Sequence, residues 1–375
     1  MTRFKKGLSN ASASLLAIAA GLLAGFIILF ISNPANAWAG LLTILRGGWN
    51  NGMKGVGQVL YYATPLILTG LSVGFAFKTG MFNIGSAGQL MVGGCAAIYV
   101  GVTWTFLPGA LHWIVALLAG MVAGMLWGAI VGLFKALGNV NEVITAIMLN
   151  YIGLYGVNYL IKNSHLYDSL RNQTVDVASS AVIPKAGLDQ VFYILKGRYH
   201  DASSVNAGIL IAIGLAIVVY IVLSRTTFGY ELKACGLNRN ASRYAGINEK
   251  RAIVLSMAIS GALAGAAGAL MYLAPSSGMH IHVEEVLAAQ GFNGIAVALL
   301  AMSNPLGIIL TGLFIGHITV GGGHLQTLRY MKEIIEVIIG MIIYFSAFSL
   351  LVRDLIARLR RARAQRADTA QEEER

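Results

Sequence analysis

Arg225-Thr-Thr-Phe-Gly-Tyr-Glu-Leu-Lys-Ala-Cys-Gly-Leu-Asn-Arg-Asn-Ala-Ser-Arg-Tyr-Ala-Gly-Ile-Asn-Glu-Lys-Arg251 interrupts a run of apolar segments with a polar, basic stretch. Residues 206–224 lie before it and 252–273 after it. Each flank approaches or exceeds the roughly 20 apolar residues that cross a bilayer as a helix. A basic connector between two such flanks reads as a loop between membrane spans, and loops rich in Lys and Arg stay on the cytoplasmic side. The rest of the chain is organised around that loop.

The composition agrees. The chain is 57% hydrophobic and 11% charged, with a mean hydropathy of +0.70, whereas soluble domains carry about 25% charged residues. This is a polytopic membrane protein. Its 375 residues leave room for roughly ten spans and their loops, with no separate soluble domain of about 100 residues. The net charge of +11 raises nucleic-acid binding as a reading. The positive residues flank apolar segments, as orientation signals do, so no nucleic-acid partner is expected. Cys95 in an apolar segment and Cys235 in the polar loop have no metal-ligand spacing and are not expected to pair.

Arg3, Lys5 and Lys6 precede an apolar run over 12–31, and Ala35-Asn36-Ala37 resembles a cleavage site. The run exceeds a signal-peptide core of 7–15 residues, so it reads as an uncleaved first span. Further segments fall at 59–77, 81–102, 112–134, 142–161, 206–224, 252–273, 286–303, 305–321 and 334–352, ten spans in all. The transmembrane domain is therefore 12–352, after a cytoplasmic segment 1–11 and before a basic tail 353–375. With the N-terminus inside, Lys78, Lys135, the loop 225–251 and the arginines between Arg353 and Arg366 all fall on the cytoplasmic side. Both termini are then cytoplasmic. The outer side receives Asn33–Gln58, the loop 162–205, and turns around Pro275 and Gly322.

Met81-Phe-Asn-Ile-Gly-Ser-Ala-Gly-Gln-Leu-Met-Val-Gly-Gly94 puts three polar side chains among four glycines. Regular helix is disfavoured there, and irregular backbone at membrane depth is tolerated only against protein or a watery cavity. A broken third span beside a translocation path is one reading; a glycine-rich helix packed closely on its neighbours is the other. Gly120, Gly124, Gly128 and Gly132 form a small-residue ridge for helix packing, and Gly261/Gly265 and Gly312/Gly316 repeat the device. Gly74–Gly85 and Gly291–Ala301 each bring Phe, Asn, Ile and Gly close together. That echo is either an internal repeat, common in transporters, or chance similarity.

No Gly-x-x-x-x-Gly-Lys-[Ser/Thr] occurs, so the chain lacks the phosphate cradle of an ATP-hydrolysing subunit. The clusters Gly52/Gly55/Gly57 and Gly321–Gly323 read as turns. The histidines have no zinc spacing; His280 and His282 with Glu284 and Glu285 read as a hydrated outer loop. No metal site and no catalytic residue are assigned. Polar residues inside spans are costly and therefore informative. Asn83, Gln89, Asn150, Gln290, Asn293 and His317 sit at apolar depth, while the acids fall near span ends, with Glu336 the nearest exception. Amides suit a pathway for a neutral hydrogen-bonding solute such as a sugar or nucleoside. Helix-to-helix hydrogen bonding without substrate contact is the competing reading.

Leu71-Ser-Val-Gly-Phe-Ala-Phe-Lys-Thr-Gly-Met-Phe-Asn-Ile-Gly-Ser-Ala-Gly-Gln89, Asn141-Glu-Val-Ile-Thr-Ala-Ile-Met-Leu-Asn-Tyr-Ile152 and Gly291-Phe-Asn-Gly-Ile-Ala-Val-Ala-Leu-Leu300 resemble the ABC-importer permeases for branched-chain amino acids, simple sugars and nucleosides. The nucleoside branch is the most similar, and the resemblance runs from about residue 55 to 350. Gly229, Lys233, Gly236, Asn238, Arg239, Arg243 and Gly246 lie in a segment similar to the family's ATPase-coupling loop. The resemblance implies an all-α permease in a prokaryotic cell membrane, without enzymatic activity or cofactor of its own. It also implies a partner ATPase that uses ATP, a second and commonly non-identical permease subunit, and an extracytoplasmic substrate-binding lipoprotein. A simple-sugar or branched-chain amino acid permease, and an ion-coupled carrier, are the alternatives.

Overall fold

The computed structural model describes residues 18–188, 203–274 and 279–347. The basic N-terminal residues, the arginine-rich tail, Pro275 and the stretch from Asp189 to Ala202 lie outside them. Helices make up the architecture: α1 (Ile18–Ser32), α2 (Ala37–Arg46), α3 (Gly52–Lys78), α4 (Ser86–Thr103), α5 (Gly109–Gly138), α6 (Glu142–Lys162) and α7 (Gly208–Arg225). Then follow α8 (Thr227–Leu237), α9 (Arg239–Tyr244), α10 (Glu249–Tyr272), α11 (Ala289–Leu300), α12 (Pro305–Gly323) and α13 (Lys332–Ala347). Strands β1 (Tyr167–Asp168) and β2 (Gln173–Thr174) form a short hairpin between α6 and α7. Among the described residues seven helical segments are long and apolar enough to cross a membrane. The protein is a helical multi-pass membrane protein.

Two compact units divide the chain at Leu42/Thr43 and His324/Leu325. In the smaller, α1 and α13 meet where Gly25 lies against Ile338. Tyr330 closes that unit by donating its hydroxyl to the carbonyls of Leu29 at 3.3 Å and Asn33 at 3.0 Å.

The larger unit is built on α3, α4, α5 and α10. The α5–α10 seam runs along the glycine ridge: a Cβ on Gly124 would lie 2.7 Å from the Cα of Gly265, and one on Gly132 would lie 2.8 Å from that of Val254. No side chain fits between these backbones. The opposite face of α5 exposes Leu111, Ile114, Leu118, Val122 and Met125, a stripe at helical spacing suited to lipid. Lys135 and Glu142 pair at 2.9 Å across the turn to α6, where Asn139 adopts the left-handed conformation that ends α5.

Three stretches differ from the sequence reading, and the break expected in the third segment is located. Asn33–Gln58, expected as an outer loop, contains α2, a 3-10 turn over Gly47–Asn51 and the start of α3. Gly47 and Gly52, both at positive φ, break an otherwise apolar helical run into pieces. Gly55 and Gly57 are helical rather than turn residues, since α3 begins before them, and Gly321–Gly323 close α12. The third segment is broken at Thr79–Gly85, with α4 starting only at Ser86. The eighth, 286–303, holds a helix of 12 residues, roughly 18 Å long and little more than half a bilayer core.

Candidate functional site

The break between α3 and α4 is stitched by amides. The two amide hydrogens of Asn83 are shared among Gln89 Oε1 at 2.7 Å, Ser260 Oγ at 2.7 Å and Ser72 Oγ at 3.0 Å. Its Oδ1 accepts from Gln89 Nε2 and from the Gly85 amide, both at 3.1 Å. Ser260 Oγ also reaches the Ser72 carbonyl at 2.7 Å. All four side chains are fully buried. The first turn of α4 has no capping side chain of its own, and Asn150 on α6 serves it from outside. Its Oδ1 accepts from Gly88 N at 2.8 Å while its Nδ2 donates to the Ile84 carbonyl at 3.0 Å. Buried amides in such a closed set hold backbone in place, because every lost partner leaves another polar group unsatisfied. Asn83→Ala is expected to destabilise the bundle by about 2–3 kcal/mol, read as a lower thermal midpoint of the detergent-solubilised chain. An unchanged midpoint would show the network to be dispensable.

Gln290 and Asn293 belong to a different place. They lie three residues apart on α11 and so on neighbouring positions of one helix face, each half-buried. Gln290 lines a cavity of about 450 Å³ together with Met91, Met271, His280, His282 and Glu284. Over this cavity residues 279–283 run extended. Thr174 N donates to the Ile281 carbonyl and Val283 N to that of Asn172, each at 3.0 Å. These bonds add the segment to the β1–β2 hairpin, with Gln173 bridged to His282. Tyr61 clips it to α3, accepting from Met279 N at 2.9 Å and donating to the Met271 carbonyl at 2.8 Å. His280 Nε2 lies 3.4 Å from Asp176 Oδ1 at the rim. Gln290 Nε2 faces Met279 Sδ at 3.7 Å, a weak acceptor that leaves the amide available to a solute.

His317 stands apart from both places. Its Nε2 lies 3.0 Å from the Leu45 carbonyl, and its ring packs against Gly47, bracing the turn between α2 and α3. The six polar residues thus separate: Asn83, Gln89 and Asn150 are bonded at the α3–α4 break, Gln290 lines the cavity with Asn293 on the same face of α11, and His317 braces a turn. Ser72, Ser260 and Tyr61 were not singled out by the sequence, since single hydroxyls in apolar segments carry no pattern.

The 225–251 segment folds as two short helices. Thr226 caps α8 by accepting from Gly229 N at 3.0 Å, Asn238 caps α9 by accepting from Ala241 N at 3.1 Å, and Asn248 caps α10 by accepting from Arg251 N at 3.0 Å. Gly229 packs against the Val222 carbonyl, and Gly236 against Thr79 and Gly80, so α8 rests on the end of α3. Gly246, at positive φ with open space around it, makes the turn after α9. Arg239 is half-buried with its guanidinium 4.0 Å from Met81 Sδ, whereas Arg243 is exposed. Tyr230, Leu237 and Tyr244 on the same two helices are also exposed, Tyr244 at 94%. Cys235 is buried, which pushes its thiol pKa up. Lys233 lines a separate cavity with Lys78.

Residues 55–347 match the family described as branched-chain amino acid transport system / permease component. The chain belongs to that permease family. Among its relatives is the guanosine ABC transporter permease protein NupP of Bacillus subtilis, 36% identical over 95% of this chain and 98% of its own length. The nucleoside ABC transporter permease protein NupB of Lactococcus lactis is 32% identical over 94% of this chain and 95% of its own. The glucose ABC transporter permease protein of Haloferax volcanii is 31% identical over 78% and 75%. Family membership accounts for what the chain contains: a helical membrane bundle with a folded polar segment between two spans.

Proposed function

We propose that the chain is a transmembrane permease subunit of an ATP-binding-cassette importer for nucleosides. The observation that carries this reading is similarity along nearly the full length to permeases named for guanosine and nucleosides. The cavity beneath residues 279–283 fits such a solute in chemistry. Its lining offers Gln290 and three methionines, Met91, Met271 and Met279, and a nucleoside presents a base that hydrogen-bonds at its edge and stacks through its faces. In this reading Gln290 and Asn293 line the pathway, while Asn83, Gln89, Asn150 and His317 shape the bundle around it.

The same reading places 225–251 and both termini in the cytoplasm, with the hairpin on the outer side and the transmembrane domain between 12 and 352. Segments 1–11 and 353–375 are its cytoplasmic ends, and 162–205 is the outer loop. An ATPase binds α8 and α9 and hydrolyses the ATP, a second related permease completes the pore, and an extracytoplasmic lipoprotein delivers the solute. Closure of the ATPase pair moves the coupling segments and switches the cavity between outward and inward openings, each state favoured by its own contacts.

The test is uptake of a labelled nucleoside into vesicles carrying the reconstituted complex. Uptake should require ATP and the ATPase subunit, and excess unlabelled nucleoside should compete where glucose and leucine do not. Uptake driven by an ion gradient without ATP would overturn the class, and competition by glucose would overturn the substrate. In the same assay Gln290→Ala should lower uptake about tenfold, the value of roughly one hydrogen bond, with the thermal midpoint unchanged.

A further inference from the structure

The second cavity lies at the other end of the bundle, where the last residue of α3, the last turn of α7, helix α8 and the start of α12 converge. It has a volume of about 270 Å³, and its polar lining is Lys78, Lys233, Ser224, Tyr220 and Asn304. No carboxylate lines it, and neither lysine has an ion-pair partner among the described residues. The Asn304 side-chain oxygen is already committed, accepting from Leu306 N at 3.1 Å and Gly307 N at 3.4 Å. What Asn304 has left to offer is its amide donor. Two lysines, an asparagine with a spare amide donor, a serine and a tyrosine therefore line one small space together with Leu223 and Pro305. Like charges sharing a cavity repel unless an anion lies between them.

We infer that this cavity binds a phosphate group, held between Lys78 and Lys233 with Asn304 and Ser224 as further donors. Two sources carry that chemistry: the headgroup of an anionic phospholipid, and free inorganic phosphate. The lipid source matches the position, because basic pockets between helix ends on the cytoplasmic side take anionic headgroups. Tyr220 presents the amphipathic ring favoured at that level, and Leu223 with Pro305 gives the glycerol end an apolar wall. The site lies against α8, so an occupied cavity ties the coupling helix to α3, α7 and α12 at once. This goes beyond the transport reading: the lysine pair binds phosphate whether or not the solute is a nucleoside.

The experiment uses the full-length chain in nanodiscs and native mass spectrometry. In discs of phosphatidylcholine doped with phosphatidylglycerol, the wild type should retain phosphatidylglycerol. Lys78→Gln/Lys233→Gln should bind it roughly 25-fold more weakly, at about a factor of five for each lysine. Lys78→Arg/Lys233→Arg should keep it, since the charge remains. In pure phosphatidylcholine discs with millimolar phosphate, adducts of phosphate in the wild type that vanish in the glutamine variant would make free phosphate the ligand. Should the double glutamine variant not assemble, Lys233→Gln alone carries the comparison, with a loss of about fivefold. Absence of both lipid and phosphate adducts in the wild type, or equal retention in wild type and glutamine variants, overturns the inference.

Discussion

Gly124→Leu should leave the chain unable to assemble its bundle, with little or no monodisperse protein recovered by size exclusion in detergent. The reason is the distance between backbones. A Cβ at this position already falls 2.7 Å from the Cα of Gly265, and the neighbouring ridge position, Gly128, would place one 3.0 Å from that of Gly261. In a core of side chains, an inserted group costs about 1–3 kcal/mol because neighbours rotate away. Here the obstacle is main chain on a second helix, so α5 and α10 must separate along their length. That forfeits the close packing on which helix association in lipid depends. Val122→Leu, two residues away on the exposed face of the same helix, is the control and should be recovered like the wild type. Normal recovery of Gly124→Leu would mean that the seam yields.

Arg243→Glu should abolish ATP-coupled uptake while the membrane bundle stays folded. Arg243 is exposed on α9, and the elements that hold α9 are elsewhere: the Asn238 cap and the buried Ser242. A surface substitution of this kind shifts stability by no more than about 0.5 kcal/mol. At an interface the same change replaces an attraction by a repulsion, and disrupting a docked charge pair costs about 2–5 kcal/mol. Uptake by the reconstituted complex should therefore fall at least about thirtyfold with the thermal midpoint of the isolated permease unchanged. Arg239 is a poorer probe, because its guanidinium leans on Met81 and its reversal also disturbs the α3–α4 break. Full coupling in Arg243→Glu would move the docking surface away from α9.

The spans with one dominant signal were legible. Segments 112–134, 142–161, 206–224 and 252–273 correspond to α5, α6, α7 and α10 because continuous apolar runs bounded by charges admit no other structure in lipid. The start of α3 was misplaced, since Asn50, Asn51 and Lys54 lower the local hydropathy although the backbone is a 3-10 turn to Asn51 and α-helical from Gly52. The eighth segment looked like a full span because residues 286–288 are apolar enough to count, although they run without helix. Hydropathy measures burial and is blind to backbone direction.

The polar residues were legible as a set and illegible as roles. Asn83, Gln89 and Asn150 read like Gln290 in sequence, being neutral amides among apolar neighbours. What separates them is whether partners lie within reach, and those partners sit up to 177 residues away, as Ser260 does from Asn83. Likewise Arg239 and Arg243 are equivalent in spacing terms, and only the placement of Met81 beside one of them distinguishes a packed cation from a free one.

The extended segment 279–283 carries one mechanical consequence. It is hydrogen-bonded into the hairpin at one end and continues through 284–288 into the first turn of α11, where Gln290 lies. The thread is short, bending at Glu284 and Glu285 where Asn158 holds the Glu284 carbonyl at 2.8 Å. A protein that seats on the hairpin and shifts it by an ångström pulls on the start of α11 along the same covalent thread. In the transport reading proposed above, the start of α11 would be tugged by a delivery protein that never touches the cavity, so delivery and opening would become one movement.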